Sequence, residues 1–161
     1  MKIRPVWFRP TVVLALAAAG TFIFVLLLFN NPRFAGPGRL ILLYYHAPIG
    51  FAFMVYVLDR LQRRAAIAGR QWLVEALVVA LALSRTVAPL PFFSGHALFL
   101  TYVIAVPGRA LARWAAALVL ADVIVFKVFL LHDATLIGGT LIGLIAAVLV
   151  RRATRPVPPA G

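Results

Sequence analysis

The chain has 161 residues, 64% of them hydrophobic and 12% charged, and its mean hydropathy is +1.02. A soluble domain carries about twice that share of charge, and a water-soluble fold of this size could not hide so much apolar surface. Composition therefore excludes a soluble globular protein and points to an integral membrane protein, one membrane domain over 1–161. Cysteine is absent, which excludes disulfides and thiolate metal sites, and the formal net charge of +12 reads as an orientation signal in short loops and not as a nucleic-acid footprint.

In chain order, Met1 to Pro10 is basic and Thr11 to Phe29 apolar. That run outlasts the ~7–15 residues of a secretory signal's apolar region and continues well past Ala17-Ala18-Ala19, so it reads as a retained first helix. Six spans are predicted, at 11–29, 40–58, 72–91, 93–108, 111–131 and 133–150, an all-α six-helix transmembrane bundle. The fourth is short and ends at the breaker pair Pro107-Gly108. The last two form one apolar stretch from Trp114 to Val150. As a single helix it would run ~55 Å, too long for one crossing, so the turn belongs at His132-Asp133, its only strongly polar pair. The tail 153–161, rich in proline, is expected to be disordered. No internal repeat is evident.

Basic residues choose the side. Lys2, Arg4 and Arg9 precede the first span, and Arg60, Arg63, Arg64 and Arg70 separate the second from the third. Arg109 and Arg113 lie between the fourth and fifth, and Arg151, Arg152 and Arg155 follow the sixth. All of these fall on one face, the expected cytoplasmic face, with both termini inside, whereas the opposite loops hold only Arg33 and Arg39. The expected location is a bacterial inner membrane.

Charges inside spans are costly and usually face a bundle interior or a wet cavity. Glu75 lies one turn from the cytoplasmic end of its helix, where it can snorkel or pair with a loop arginine. Asp122 is near mid-depth and needs a partner or a proton. The other polar residues gather toward the outer face: Arg85 in the third span, Lys127 near the end of the fifth, Ser94-Gly95-His96 at the start of the fourth, and His132-Asp133 in the last turn. His46, after Tyr44-Tyr45, also lies on the outer side and reads as a headgroup-zone residue. His96 and His132 with Arg85 and Lys127 read as a site for anionic groups.

Phe92-Phe93-Ser94-Gly95-His96 resembles the Ser-Gly-His motif of the type-2 phosphatidic acid phosphatase superfamily. The segment from Lys127 to Gly143 resembles that family's third motif, Arg-x5-His-x3-Asp followed by a glycine-bearing helix, here Val128-Phe129-Leu130-Leu131-His132 leading into Leu136-Ile137-Gly138-Gly139-Thr140-Leu141-Ile142-Gly143. The resemblance covers nearly the whole chain in layout: six helices, with histidines at the outer ends of the fourth span and of the fifth-to-sixth connection. The chain departs from the pattern in three places. The Arg position is Phe126, with Lys127 one residue nearer to His132. The Asp position is Leu136, or Thr135 with one deletion. Of the first motif, Lys-x6-Arg-Pro, only Arg85 stands at the outer end of the third helix. Lys2-x6-Arg9-Pro10 spells that motif, but on the opposite face from the histidines, and is read as coincidence.

The resemblance implies phosphoryl transfer from a lipid phosphate or diphosphate through a phosphohistidine, with no metal or cofactor. His132 would be the nucleophile, and His96 would protonate the leaving oxygen and then activate water. Asp133 would be the local carboxylate that orients the nucleophilic ring. Arg85 and Lys127 would neutralise the phosphate oxygens, and backbone N–H groups at Ser94-Gly95 would add an anion cradle at a helix N-terminus. The Gly139-x3-Gly143 spacing would let the last helix pack closely on a neighbour. Two alternatives stand beside this. One is a non-catalytic membrane subunit of a larger complex, or a lipid-binding protein on the same fold, in which Arg85 and Lys127 pair with Asp122 or Asp133. The other is a haem- or metal-binding membrane protein using the three histidines.

Overall fold

The structure, a computed structural model, describes residues 9–30, 36, 39–63, 69–87, 93–106, 108 and 110–153. Those residues form six α-helices: α1 (Pro10–Asn30), α2 (Arg39–Arg63), α3 (Gly69–Val87), α4 (Gly95–Ala105), α5 (Ala110–Val125) and α6 (Thr135–Ala153). A π-helical turn over Phe126–Leu130 continues α5. No strand occurs among the described residues. Each expected helix has its counterpart, with shifted ends. α2 runs on to Arg63, α4 is shorter than 93–108, and α6 extends through Ala153. Residues 88–91, the expected end of the third span, and the tail beyond Ala153 lie outside the described residues.

The short α4 is set by its two ends. Ser94 is extended (φ −95°, ψ 119°) and its Oγ accepts from the Ala97 N–H, satisfying one of the donors that a helix start leaves open. At the other end Val106 is again extended, and its N–H closes the last turn on Tyr102 O. Arg151 of α6 donates from its guanidinium to Ala105 O, placing a cation at the C-terminal end of α4.

α4 is the buried centre. It packs against α2, α3, α5 and α6, while α1 packs on α2. Ala97, Leu98, Leu100 and Tyr102 have no exposed surface, and Phe99, Thr101 and Val103 are buried with them. α6 approaches α4 closely because Gly139 and Gly143 lie on one face of it. A Cβ on Gly139 would run into the backbone oxygen of Ser94, and one on Gly143 into that of Leu98. Gly95 plays the same part toward α3, where a Cβ would meet the Ala82 carbonyl. Helix spacing of glycines thus becomes backbone contact.

The outer helices are apolar on their exposed faces as well. Phe22, Leu27, Leu73, Trp114, Leu118, Phe129 and Ile137 are all more than 60% exposed. Among the described residues two helices hold apolar windows long enough to cross a membrane by length and composition, Pro10–Leu27 and Thr135–Arg152, with mean hydropathies of 2.3 and 1.6. α4, at 11 residues, is ~16 Å long at 1.5 Å per residue, about half a ~30 Å hydrocarbon core.

Candidate functional site

His96 sits in the first turn of α4, half-buried, one residue beyond Gly95. Its Nδ1 lies 2.9 Å from the Oη of Tyr45 on α2. The Tyr45 ring is itself held, stacked on Phe126 with centroids 4.8 Å apart. His46 presents its ring edge to both, at 5.2 Å from Tyr45 and 5.5 Å from His96. Two imidazoles and a phenol therefore meet where α2 crosses the start of α4. His46, read from the sequence as a headgroup-zone residue on the same side, belongs to this cluster.

The two motif-like segments, far apart in sequence, are tied together at the backbone. The Ser94 N–H donates to Thr135 O at 2.8 Å, so the start of α4 is bonded to the start of α6. The Ser94 N–H is used by Thr135, and its Oγ accepts in the α4 cap. The N–H groups of α4 left for an anion begin at Gly95.

Before α6 the chain makes a tight polar turn. Asp133 Oδ1 accepts from the Thr135 N–H at 2.8 Å and so caps α6, while Oδ2 accepts from Lys127 Nζ. Lys127 also donates to Thr135 Oγ1 at 3.1 Å. The π-helical turn brings Lys127 inward: it is 6% exposed, beside the buried Phe126. Partial burial pushes the Asp133 carboxyl up, but the hydrogen bonds from Lys127 and from the Thr135 side chain and backbone outweigh it and hold the pKa at about 2. Asp133 thus answers Lys127 and the helix start. His132, next to it, is exposed, has φ +51°, and makes no hydrogen bond or ion pair among the described residues. A non-glycine residue in the left-handed region carries a conformational cost, which the flanking π turn and the capped α6 impose on it. Arg85 lies in the last turn of α3, with its side chain outside the described part of the structure.

Asp122 of α5 accepts from the Tyr44 hydroxyl at 3.3 Å through Oδ1, while its Oδ2 is buried without a partner. The expected need for a partner is met by half.

A second polar cluster lies at the opposite end of α2. Arg60 and Glu75 form an ion pair (Nε to Oε1, 3.1 Å) in which both side chains are 3% exposed. Gln71 donates to the same Glu75 oxygen at 2.8 Å. Asp59 lies 3.8 Å from Arg60 and 3.5 Å from Arg63, and the Arg60 guanidinium rests over the Tyr56 ring at 5.0 Å. Glu75 does pair with an arginine, as one of its two sequence readings had it, but Arg60 reaches it from within α2 and both are buried. Asp59 and the two tyrosines with buried hydroxyls, Tyr56 and Tyr102, carried no functional reading. The usable signal was the spacing Tyr56-x3-Arg60-x2-Arg63, one polar stripe on an otherwise apolar helix.

Among the described residues no three His, Asp or Glu side chains converge as metal ligands. Comparison of the chain with protein-family models, with curated proteins and with solved structures returned no match.

Proposed function

We propose that this chain is a six-span integral membrane protein that removes the phosphate of a lipid phosphate or diphosphate at the outer face of a bacterial inner membrane, through a phosphohistidine. The observation that carries this reading is the Ser94 N–H to Thr135 O bond, with Gly139 packed on the Ser94 backbone. It brings the Ser-Gly-His segment and the His132 turn, the two pieces that resemble phosphatase motifs, to one end of one bundle. Apolar outer faces on α1, α3, α5 and α6 support the membrane setting.

In this reading a nitrogen of His132 attacks phosphorus and the bond from phosphorus to the lipid-side oxygen breaks. His96 gives that leaving oxygen a proton. Water then attacks the phosphorus–nitrogen bond, giving its proton to His96, and inorganic phosphate leaves. The exposure of His132 suits a substrate whose tail stays in lipid while its headgroup meets water. Lys127 Nζ has three N–H bonds, of which Asp133 and Thr135 engage two, leaving one for a phosphate oxygen. Arg85 supplies the second positive charge, and the Gly95 N–H opens the helix start to an oxyanion. Asp133 acts by holding Lys127 and α6.

The closed Lys127–Asp133 pair favours a second reading, a non-catalytic lipid-binding protein or membrane subunit on the same fold, since a cation already answered needs no phosphate. The two part in one experiment: inorganic phosphate release by the purified protein from a panel of lipid mono- and diphosphates, with His132→Ala beside it. Release that depends on His132 supports the phosphatase. No release from any substrate by folded protein favours the non-catalytic bundle.

A further inference from the structure

We propose that Thr135 is the positioning residue of Lys127: its hydroxyl aims the third N–H bond of the ammonium, and its backbone ties that ammonium to the start of α4. The purpose of this arrangement rests on the phosphoryl-transfer reading above, but the geometry does not. Three bonds converge on Thr135. Its N–H donates to Asp133 Oδ1 at 2.8 Å, its carbonyl accepts from the Ser94 N–H at 2.8 Å, and its Oγ1 accepts from Lys127 Nζ at 3.1 Å. The direction of each is fixed, because amides and ammonium donate and the carboxylate and carbonyl oxygens accept.

A lysine ammonium is a point charge on a flexible stem, with three N–H bonds at tetrahedral angles. One carboxylate oxygen would hold it near but leave it free to spin about the Cε–Nζ bond. Asp133 Oδ1 is taken by the Thr135 N–H, so Oδ2 receives the ammonium, and Thr135 Oγ1 takes a second N–H. Two fixed directions determine the third, the one that meets a phosphate oxygen in the phosphatase reading. The threonine oxygen is a firm reference point. Its side chain is β-branched and stiff at χ1, and its backbone is bonded on both sides.

The Ser94 bond extends this effect. The residue that directs Lys127 also holds the backbone from which the Gly95 N–H enters α4, so one joint sets the separation of the two groups offered to an anion. Capping alone does not require the hydroxyl. The α6 cap runs from Asp133 to the Thr135 backbone N–H, which any non-proline residue at 135 supplies.

The test compares wild type, Thr135→Val and Thr135→Ser as full-length protein in detergent micelles. Valine keeps the shape and both backbone bonds and removes only the oxygen; serine returns it. Carbon-13 NMR of labelled aspartate follows the Asp133 carboxyl. Burial pushes that carboxyl up, and the bonds from Lys127 and from the Thr135 hydroxyl and N–H bring it down to about 2. Thr135→Val is expected to titrate higher than wild type and Thr135→Ser to titrate with it. On a lipid phosphate, kcat/KM should fall roughly tenfold in Thr135→Val and recover in Thr135→Ser, the rate equivalent of one hydrogen bond. A wild-type Asp133 titrating at the ordinary carboxylate value of roughly 3.9 overturns the proposal, and that measurement needs no variant to fold. An Asp133 titration indifferent to Thr135→Val overturns it as well, as does a loss of turnover that serine fails to restore. If the titration responds as expected but wild type hydrolyses no lipid phosphate, Thr135 positions Lys127 and the phosphatase reading is what fails.

Discussion

Around Arg60 the acidic side chains are buried and meet arginines; around His96 the imidazoles are half-buried. Both groups use α2, at opposite ends. At the Arg60 end two carboxylates, Asp59 and Glu75, meet Arg60 and Arg63, and the Arg60–Glu75 pair is sealed from solvent. Such a cluster fixes helix register and loses heavily when broken. At the His96 end the charged residues Lys127 and Asp133 are also paired, but His132 stands exposed on a costly backbone conformation and His96 is only half-buried, its Nδ1 against Tyr45. Paired, buried charge is what stability needs. Exposed imidazole on a rigid base is what chemistry needs. In the proposed phosphatase reading the two ends divide those tasks.

The comparison breaks first at the histidines. His132→Ala is expected to abolish phosphate release, and His96→Ala to lower it by about 10²–10⁴-fold, with thermal unfolding in detergent unchanged within a degree or so. Loss of folding together with loss of release would instead make the His96 end structural.

At the Arg60 end the expectation is reversed. Arg60→Met leaves Glu75 buried without its guanidinium, while Asp59 keeps Arg63, and should cost about 3–5 kcal/mol, read as a lowered unfolding midpoint, with release per folded molecule retained. A fall in turnover without a fall in stability would show that the two ends are coupled.

Gly139→Ala probes the joint between the motif-like segments. Its Cβ has no room against the Ser94 backbone oxygen, so a cost of about 3 kcal/mol, the upper end for overpacking, is expected in the same unfolding assay. A neutral Gly139→Ala would mean that α6 does not lie so near α4.

The smallest effect concerns Asp133. Its folded pKa of about 2 is below the ordinary carboxylate value of roughly 3.9, so it contributes stability above about pH 4, and this is lost as the pH falls toward 2. The contribution is about 2 kcal/mol by linkage. Asp133→Asn should therefore be less stable than wild type at neutral pH, with the gap closing between pH 4 and 2. A gap constant across that range would separate the carboxylate from Lys127.

Much of the fold was legible because helices in this chain are marked by long apolar runs and sharp breakers. The turn at His132-Asp133 followed from a single polar pair in an apolar stretch, and Gly139-x3-Gly143 foretold a close helix contact. What was not legible was partnership. Nothing local in Tyr44-Tyr45-His46 says that the second tyrosine reaches His96, because that contact depends on how α2 crosses α4 fifty residues later. Lys127 was legible as a charge inside a span, with Asp122 and Asp133 as its candidate partners, but the choice between them was not, since the π-helical turn that aims it at Asp133 has no signature in Phe126–Leu130. Asp59 was overlooked because it falls at a helix end that apolar periodicity places at residue 58, whereas α2 continues to Arg63. The end of a helix is set by its capping and tertiary contacts, and hydropathy does not see those.

The most direct test of the account is to trap the phosphoryl group on the protein. Folded protein would be mixed with a phosphorus-labelled lipid phosphate and quenched under alkaline conditions that preserve phosphohistidine, and the label would then be located by peptide mapping. The account predicts label on His132, absent in His132→Ala and accumulating in His96→Ala to the extent that water activation slows more than transfer. Release of labelled phosphate with none passing through the protein, or label carried by His96 or His46 in place of His132, would contradict it.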